Sequence, residues 1–376
     1  MSANTGTNST PIRIPIAKPQ ITAAETEAVI AIMRTGQLAQ GKKVEELEKM
    51  FYGLTGQHAI AVSNGTTALH TALFALGIKE GDEVITVPFT FAATANSIKM
   101  CNAKPVFVDI SEDDYLIDVR QIEKKITKRT KAIIPVDLFG QCADFKAINE
   151  IAKRHNLVVV EDAAQSIGAT QDGMYSGGLC DAATFSLYAT KNVMCGEGGM
   201  VTAREEHTAK IAKQFRHHGQ GERYEYEIMG YNYRMTDLAA AIAVEQMKRL
   251  EEITSVRQRN ARILDGILRN VRGIIIPKVN KGNTHVYHQY AIRVTEEFGM
   301  SRDELKKALE EKGIGTGVHY PKPLHLHKAF SELGMKEGDL PVCEKISKEI
   351  LSIPVHQQVS EEDARFIAET IRDLGR

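Results

Sequence analysis

Between His58 and Asp162 the chain repeats one texture: a short apolar run, then a segment with helical spacing. The runs Ala59–Val62, Val84–Val87, Val106–Asp109, Ala132–Val136 and Leu157–Glu161 are too short for helices and rich in β-branched residues. Strands that alternate with helices pair in parallel, because each parallel neighbour needs a crossover. Ile133-Ile134 and Val158-Val159-Val160 are apolar on both faces, as a sheet covered by helices on both sides requires. The pattern predicts an α/β fold around a mainly parallel mixed sheet. Such sheets take ligands beyond the carboxyl ends of their strands, so candidate site residues belong at those ends.

After Ala59–Val62 comes Ser63-Asn64-Gly65-Thr66-Thr67-Ala68-Leu69, a strand, a glycine turn and a helix whose first amides would face an anion. No G-x-x-x-x-G-K-[ST] loop is present, and simple helix capping explains the same residues equally well. Pro88-Phe89-Thr90-Phe91 puts an aromatic ring at the second strand end, although Phe91 taken alone reads as core. Leu157–Glu161 runs into Asp162-Ala163-Ala164-Gln165-Ser166, a carboxylate at the sheet mouth followed by small residues. A carboxylate there is costly unless paired, and a helix-cap aspartate is the plainer use. Finally, Thr184–Tyr188 suits a strand and Gly196–Gly199 breaks any helix, which leaves Lys191 just past a strand end. Most lysines in loops are ordinary surface residues. The set is more telling than its members. Pyridoxal phosphate (PLP) needs a lysine for its Schiff base, a carboxylate for its ring nitrogen, a dipolar cradle for its phosphate and a stacking surface.

At these residues the chain resembles the DegT/DnrJ-type nucleotide-sugar aminotransferases, of the aspartate aminotransferase-like fold type I. The segments that carry the resemblance are S-N-G-T-T-A-L, V-P-F-T-F-A-A-T-A-N, V-E-D-A-A-Q-S-I-G-A, S-L-Y-A-T-K-N-V-M-C-G-E-G-G, G-Y-N-Y-R-M-T-D-L and H-Y-P-K-P-L-H, spread from about Thr22 to the C-terminus. The resemblance implies that Lys191 bonds PLP, Asp162 pairs with the ring nitrogen and Gln165 hydrogen-bonds the ring hydroxyl. It implies that Gly65, Thr66 and Ser186 hold the phosphate and that Phe91 stacks on the ring. It further implies a homodimer in which Asn232 reaches the partner's phosphate, with Arg234, His319 and Tyr320 facing the sugar nucleotide. The activity implied is amino transfer from an amino acid, glutamate by analogy, to a nucleotide-linked keto-sugar in amino-sugar biosynthesis. Keto-cyclitol amination, or a non-enzymatic regulatory role on the same scaffold, are the alternatives. Relatives that dehydrate sugars carry histidine where this chain has Lys191. No single arginine stands out for the donor carboxylate.

The remaining features set bounds. With 47 Lys plus Arg against 48 Asp plus Glu, no global field recruits nucleic acid or an acidic membrane. Five cysteines without a C-x-x-C pair argue against disulfides or a zinc ribbon and for a reducing, cytoplasmic setting. No apolar run reaches the roughly 18 residues of a membrane span. His285, His288, His319, His325 and His327 lack acidic or cysteine partners at metal spacing, so no metal is expected. Residues 1–20 read as a polar tail, 21–256 as a large PLP-binding α/β domain and 257–376 as a small α+β domain. Thr22 to Glu25 is a capping box that opens a helix to Arg34, with Gly36 placed to end it. Gly36, Gly41, Lys42 and Lys43 could meet a phosphate, but a loop feeding the amphipathic helix Val44–Tyr52 is the preferred reading. Asp237–Val256 reads as one long helix, and the C-terminal part as a strand Tyr290–Val294 with helices Ser301–Glu311, Leu340–Leu351 and Glu361–Leu374.

Overall fold

The computed structural model describes residues 11–375, so the first half of the expected tail, residues 1–10, lies outside it. Seven strands make the central sheet, in the order His58–Val62, Gly199–Ala203, Ala182–Ser186, Val158–Asp162, Thr130–Ile133, Glu83–Thr86 and Lys104–Phe107. All are parallel except Gly199–Ala203, which runs antiparallel to both neighbours. Successive residues feed opposite cores. Val84, Ala132 and Val160 pack under the helix Gly65–Ala75, while Ile85, Ile133 and Val159 pack against Phe145 and Ile148 of the helix Phe145–His155. This is the two-sided burial that the sequence anticipates.

Several strands end one to three residues earlier than their apolar runs. Val87 and Val108 are buried but lie past the ladder, and Val136 meets Asp162 only in an isolated parallel bridge, so apolar composition marks burial there more than strand pairing. The strand expected at Thr184–Tyr188 is Ala182–Ser186 for the same reason, with Leu187 buried beyond it.

The first helix, Ala23–Thr35, has the Thr22/Glu25 capping box, and Gly36 ends it at φ 70°. The next, Lys42–Thr55, settles the glycine loop in favour of the simpler reading. Asp237 Oδ1 accepts from the Gly41 and Val44 amides at 2.8 and 3.0 Å, and Oδ2 from Lys43 at 3.2 Å, so this helix start is already filled by a carboxylate.

The long helix expected at Asp237–Val256 is two helices, Asp237–Lys248 and Leu250–Leu268, broken at Arg249 (φ −104°, ψ 8°). The break lets the first half pack on the N-terminal helices while Ala261, Leu264 and Leu268 of the second turn to another core. Position 256 therefore falls inside a helix. That second core contains an antiparallel sheet of Ile274–Ile275, Tyr290–Val294 and Ile350–Ile353, covered by Arg302–Glu311 and Glu361–Leu374. Two further expectations fail here. The helix expected at Leu340–Leu351 stops at Glu349, because Ile350-Leu351-Ser352-Ile353 pairs as a strand with Tyr290–Arg293. Residues 12–20 are no tail: Ile14 is buried in the second core, and the Arg13 and Ile14 amides donate to the Gly313 carbonyl.

Asp237→Ala should remove three amide partners from the start of Lys42–Thr55 and lower stability by about 2 kcal/mol, read as an earlier urea midpoint in the holoprotein. An unchanged midpoint would show that the cap is dispensable.

Candidate active site

The carboxyl ends of the parallel strands open onto a cavity of about 770 Å³, the size range of small-ligand sites. Its wall includes Gly65, Thr66, Phe91, Thr94, Asp162, Gln165, Ser186, Lys191, His288, His319 and Tyr320, drawn from the ends of four strands and from the second core's connections. Nine of the eleven site residues expected from sequence are therefore brought together.

Asn64 caps the helix Gly65–Ala75 by accepting the Thr67 amide at 2.9 Å, which leaves the Gly65 and Thr66 amides open toward the cavity. Gly65 is there because of Ser186: a Cβ on it would lie 2.9 Å from the Ser186 Cβ. Gly199 is placed as closely, since a Cβ would stand 2.3 Å from the Asn64 carbonyl oxygen. Two glycines thus press the Asn64–Thr66 turn, the Ser186 hydroxyl and the sheet into one anion cradle.

Asp162 is buried, at 4 % exposure, and its Oδ2 accepts the Thr94 hydroxyl at 2.7 Å while Oδ1 takes the Ala164 amide at 3.3 Å. Burial pushes its carboxyl up, opposed by those two donors and by the Lys191 charge. Burial likewise pushes the Lys191 amine down to about 8, opposed by Asp162. Each group is close enough to be felt electrostatically by the other. His319 and His288 are held below the usual imidazole range, first by burial and then by the Lys191 charge, so both face the cavity neutral. Gln165 Oε1 accepts the Phe139 amide at 2.8 Å, which fixes its Nε2 toward the Tyr320 hydroxyl at 3.4 Å.

Phe91 overturns the core reading. It is 62 % exposed at the cavity wall, and the buried ring of that segment is Phe89, edge-on to Tyr320. Asn232 and Arg234 are not in the cavity. Asn232 is exposed, and the Arg234 guanidinium bonds His217 Nδ1 at 2.9 Å beside a separate apolar groove. Of the other histidines, His285 accepts the Tyr287 amide, His325 pairs with Glu344 and His327 meets the Lys322 carbonyl. Sequence reasoning missed Thr94 and Gln289. Thr94 lies at the start of the helix Ala93–Met100, one turn past Thr90, but nothing in that spacing says which carboxylate a hydroxyl will meet.

The residues fit pyridoxal phosphate: open amides and a hydroxyl at one end, a buried carboxyl and a partly neutral amine at the other, and space between them. The chain matches the DegT/DnrJ/EryC1/StrS aminotransferase family over residues 19–372. It belongs to that family. The family is PLP-dependent, so this chain is a PLP-dependent aminotransferase. A pleiotropic regulatory protein of Geobacillus stearothermophilus is 43 % identical over 92 % of each chain. The GDP-perosamine synthase of Caulobacter vibrioides is 39 % identical over 93 % of this chain and 95 % of its own. DesV of S. venezuelae, solved with a ketimine intermediate, superposes with a TM-score of 0.91 at 33 % identity, covering 94 % and 95 %.

With a Lys191 pKa of about 8, the amine is protonated and inert below that pH and nucleophilic above it. Capture of PLP by the apoprotein should therefore speed up about tenfold per pH unit up to about pH 8 and then level, as followed by visible absorption in stopped flow. An inflection displaced to the range of a free lysine would contradict the buried setting.

Proposed function

We propose that this aminotransferase moves an amino group from an amino acid, glutamate by family analogy, to a nucleotide-linked keto-sugar, yielding an amino sugar. The observation that carries the reading is the Lys191 amine and the Asp162 carboxyl in one cavity, with the open Gly65 and Thr66 amides opposite. The relative named for GDP-perosamine synthesis supports the sugar assignment. Bound there, PLP supplies a carbonyl for exchange of amines and a ring that accepts electron density.

The chain's own groups do the rest. Gly65, Thr66 and Ser186 would take up the phosphate charge, and Phe91 would cover the ring. Asp162, oriented by Thr94, would hold the proton on the ring nitrogen, and Gln165 would bond the ring hydroxyl. Lys191 Nζ would serve as the base that takes the proton from the donor's α-carbon and as the acid that gives it back. Its lowered pKa leaves a useful fraction of free amine near neutrality. His319 and Tyr320 line the substrate side, where neutral imidazole and phenol can bond sugar hydroxyls without adding charge.

The working unit in this reading is a homodimer in the cytoplasm, with no membrane or nucleic-acid partner. All five cysteines are free and buried, as a reducing compartment favours, and among the described residues no helix is long and apolar enough to cross a membrane. Asn232, outside its own cavity, would complete the partner's phosphate site, and Arg234 would face the partner's substrate. Residues 21–256 and 257–376 would form the large and small parts, joined through the helix Leu250–Leu268.

A second reading, regulation without catalysis, draws on the name of the G. stearothermophilus relative. Lys191→Ala separates the two. Visible absorption and amino transfer to a panel of keto-sugar nucleotides should vanish together, with turnover down about a thousandfold or more. Asp162→Asn should still bind PLP but lose about a hundredfold or more in kcat. Wild-type protein without colour or transfer would favour the regulatory role. For the shared site, Lys191→Ala subunits mixed with Asn232→Ala subunits should regain up to about a quarter of wild-type activity. Half the dimers are then hybrids with one intact site, and failure to regain any would place Asn232 elsewhere.

A further inference from the structure

Behind Asp162 lies a second pair of acids that the chemistry above does not use. Asp137 and Glu161 are both fully buried, and carboxyl oxygens of the two lie within 4.8 Å of each other and of the Cys142 thiol. The Asp137 amide donates to the Asp162 carbonyl at 3.1 Å, so the pair sits directly under the residue that faces the cavity. Asp137 Oδ1 accepts the Ala143 amide at 2.9 Å and Oδ2 the Ser166 hydroxyl at 2.8 Å, while Glu161 Oε2 accepts the Gly177 amide at 2.9 Å. Glu161 Oε1 is buried with no donor. No lysine, arginine or histidine among the described residues forms an ion pair with either acid.

Two ionised carboxylates without a cation in such a site cannot both persist, and the cheapest missing donor is a proton. We propose that Asp137 and Glu161 share one proton at neutral pH, which bridges Glu161 Oε1 to Asp137 and leaves the pair a single negative charge. The groups that face the pair are Asp162 on the same strand, the Cys142 and Cys180 thiols, and the Ser166 and Ser176 hydroxyls. Burial pushes both thiols up and keeps them neutral, so Asp162 is the charge beside the pair, and it pushes Glu161 up. Burial, then the Glu161 charge, pushes Asp137 up; burial also pushes Glu161 up, against the hydrogen bond from Asp137. A second negative charge here would drive a proton onto Asp162 and discharge it. Asp137 and Glu161 are thus positioning residues that protect the ionisation of Asp162 as well as its geometry.

Glu161→Gln and Asp137→Asn each place an N–H donor where the proton would sit and keep the pair's single charge. Infrared spectra of the holoenzyme at about pH 8, in water and in heavy water, should show a protonated-carboxyl band in the wild type that is absent from both variants, with visible cofactor absorption retained. The sign of the linkage gives a second readout. The folded wild type binds one proton more than the unfolded chain, so its stability falls as pH rises. Its unfolding constant should grow relative to that of Glu161→Gln by about tenfold per pH unit between about pH 6 and 8. If one variant fails to fold, the other carries both measurements. The proposal is overturned if the wild type lacks the band, if the band survives in either variant, or if the unfolding ratio is flat with pH. It is equally overturned if the purified enzyme carries an equivalent of divalent metal that Asp137→Asn removes, since the same three side chains could then be ligands.

Discussion

Burial of an amine opposite a carboxyl is the constraint that the rest of the site obeys. Desolvation drives Lys191 and Asp162 toward their neutral forms, while the charge of each favours ionisation of the other. Neither group is left at its solution behaviour. The protein tunes this opposition with small parts: the Thr94 hydroxyl and Ala164 amide support the carboxylate, and neutral His288 and His319 add no competing positive charge beside the amine. An amine near 8 can act as base and nucleophile, where one at its usual value would be almost wholly protonated.

The sheet makes that opposition possible. Six parallel strands end on one edge, so segments far apart in sequence converge there. The antiparallel strand Gly199–Ala203 begins at the same edge, and its first residue carries no side chain because the Asn64 carbonyl occupies the place a Cβ would need. Gly65 against Ser186 repeats the device one turn away. Backbone amides can be aimed at an anion only if nothing stands in front of them, and these glycines clear the ground.

Much of this was legible in the sequence. Strand-end chemistry at Asp162, Lys191 and Ser63–Thr67 identified the cavity because period and composition mark parallel strands strongly. Boundaries were less legible, since Val87, Val108 and Val136 are apolar and buried beyond the ends of their strands. The break at Arg249 and the strand Ile350–Ile353 escaped because helical spacing continues through both, and only the location of a second core decides which face turns inward. Residue type alone put Phe91 in the core, whereas the resemblance put it in the site: Phe89 and Phe91 are the same residue two positions apart, and it is Phe89 that packs against Tyr320, over two hundred residues later. Thr94 and the Asp137–Glu161 pair were invisible for the same reason, as their partners come from other strands.

Asn232 shows how position can be dictated by its neighbours. Tyr231 and Tyr233 stack on each other, with ring centroids 4.9 Å apart and planes within 8°, and both pack against His70 and Phe215. In extended backbone successive side chains point to opposite sides, so two tyrosines anchored inward leave the residue between them facing out. His70 belongs to the helix Gly65–Ala75, whose first amides open on the chain's own cavity. One helix therefore fixes two things at once, a cradle at its N-terminus and, along its flank, the outward presentation of Asn232. If Asn232 serves a second copy of the chain, any displacement of that helix perturbs the phosphate sites of both subunits together, which is a physical reason for the two halves of a dimer to share a single stability.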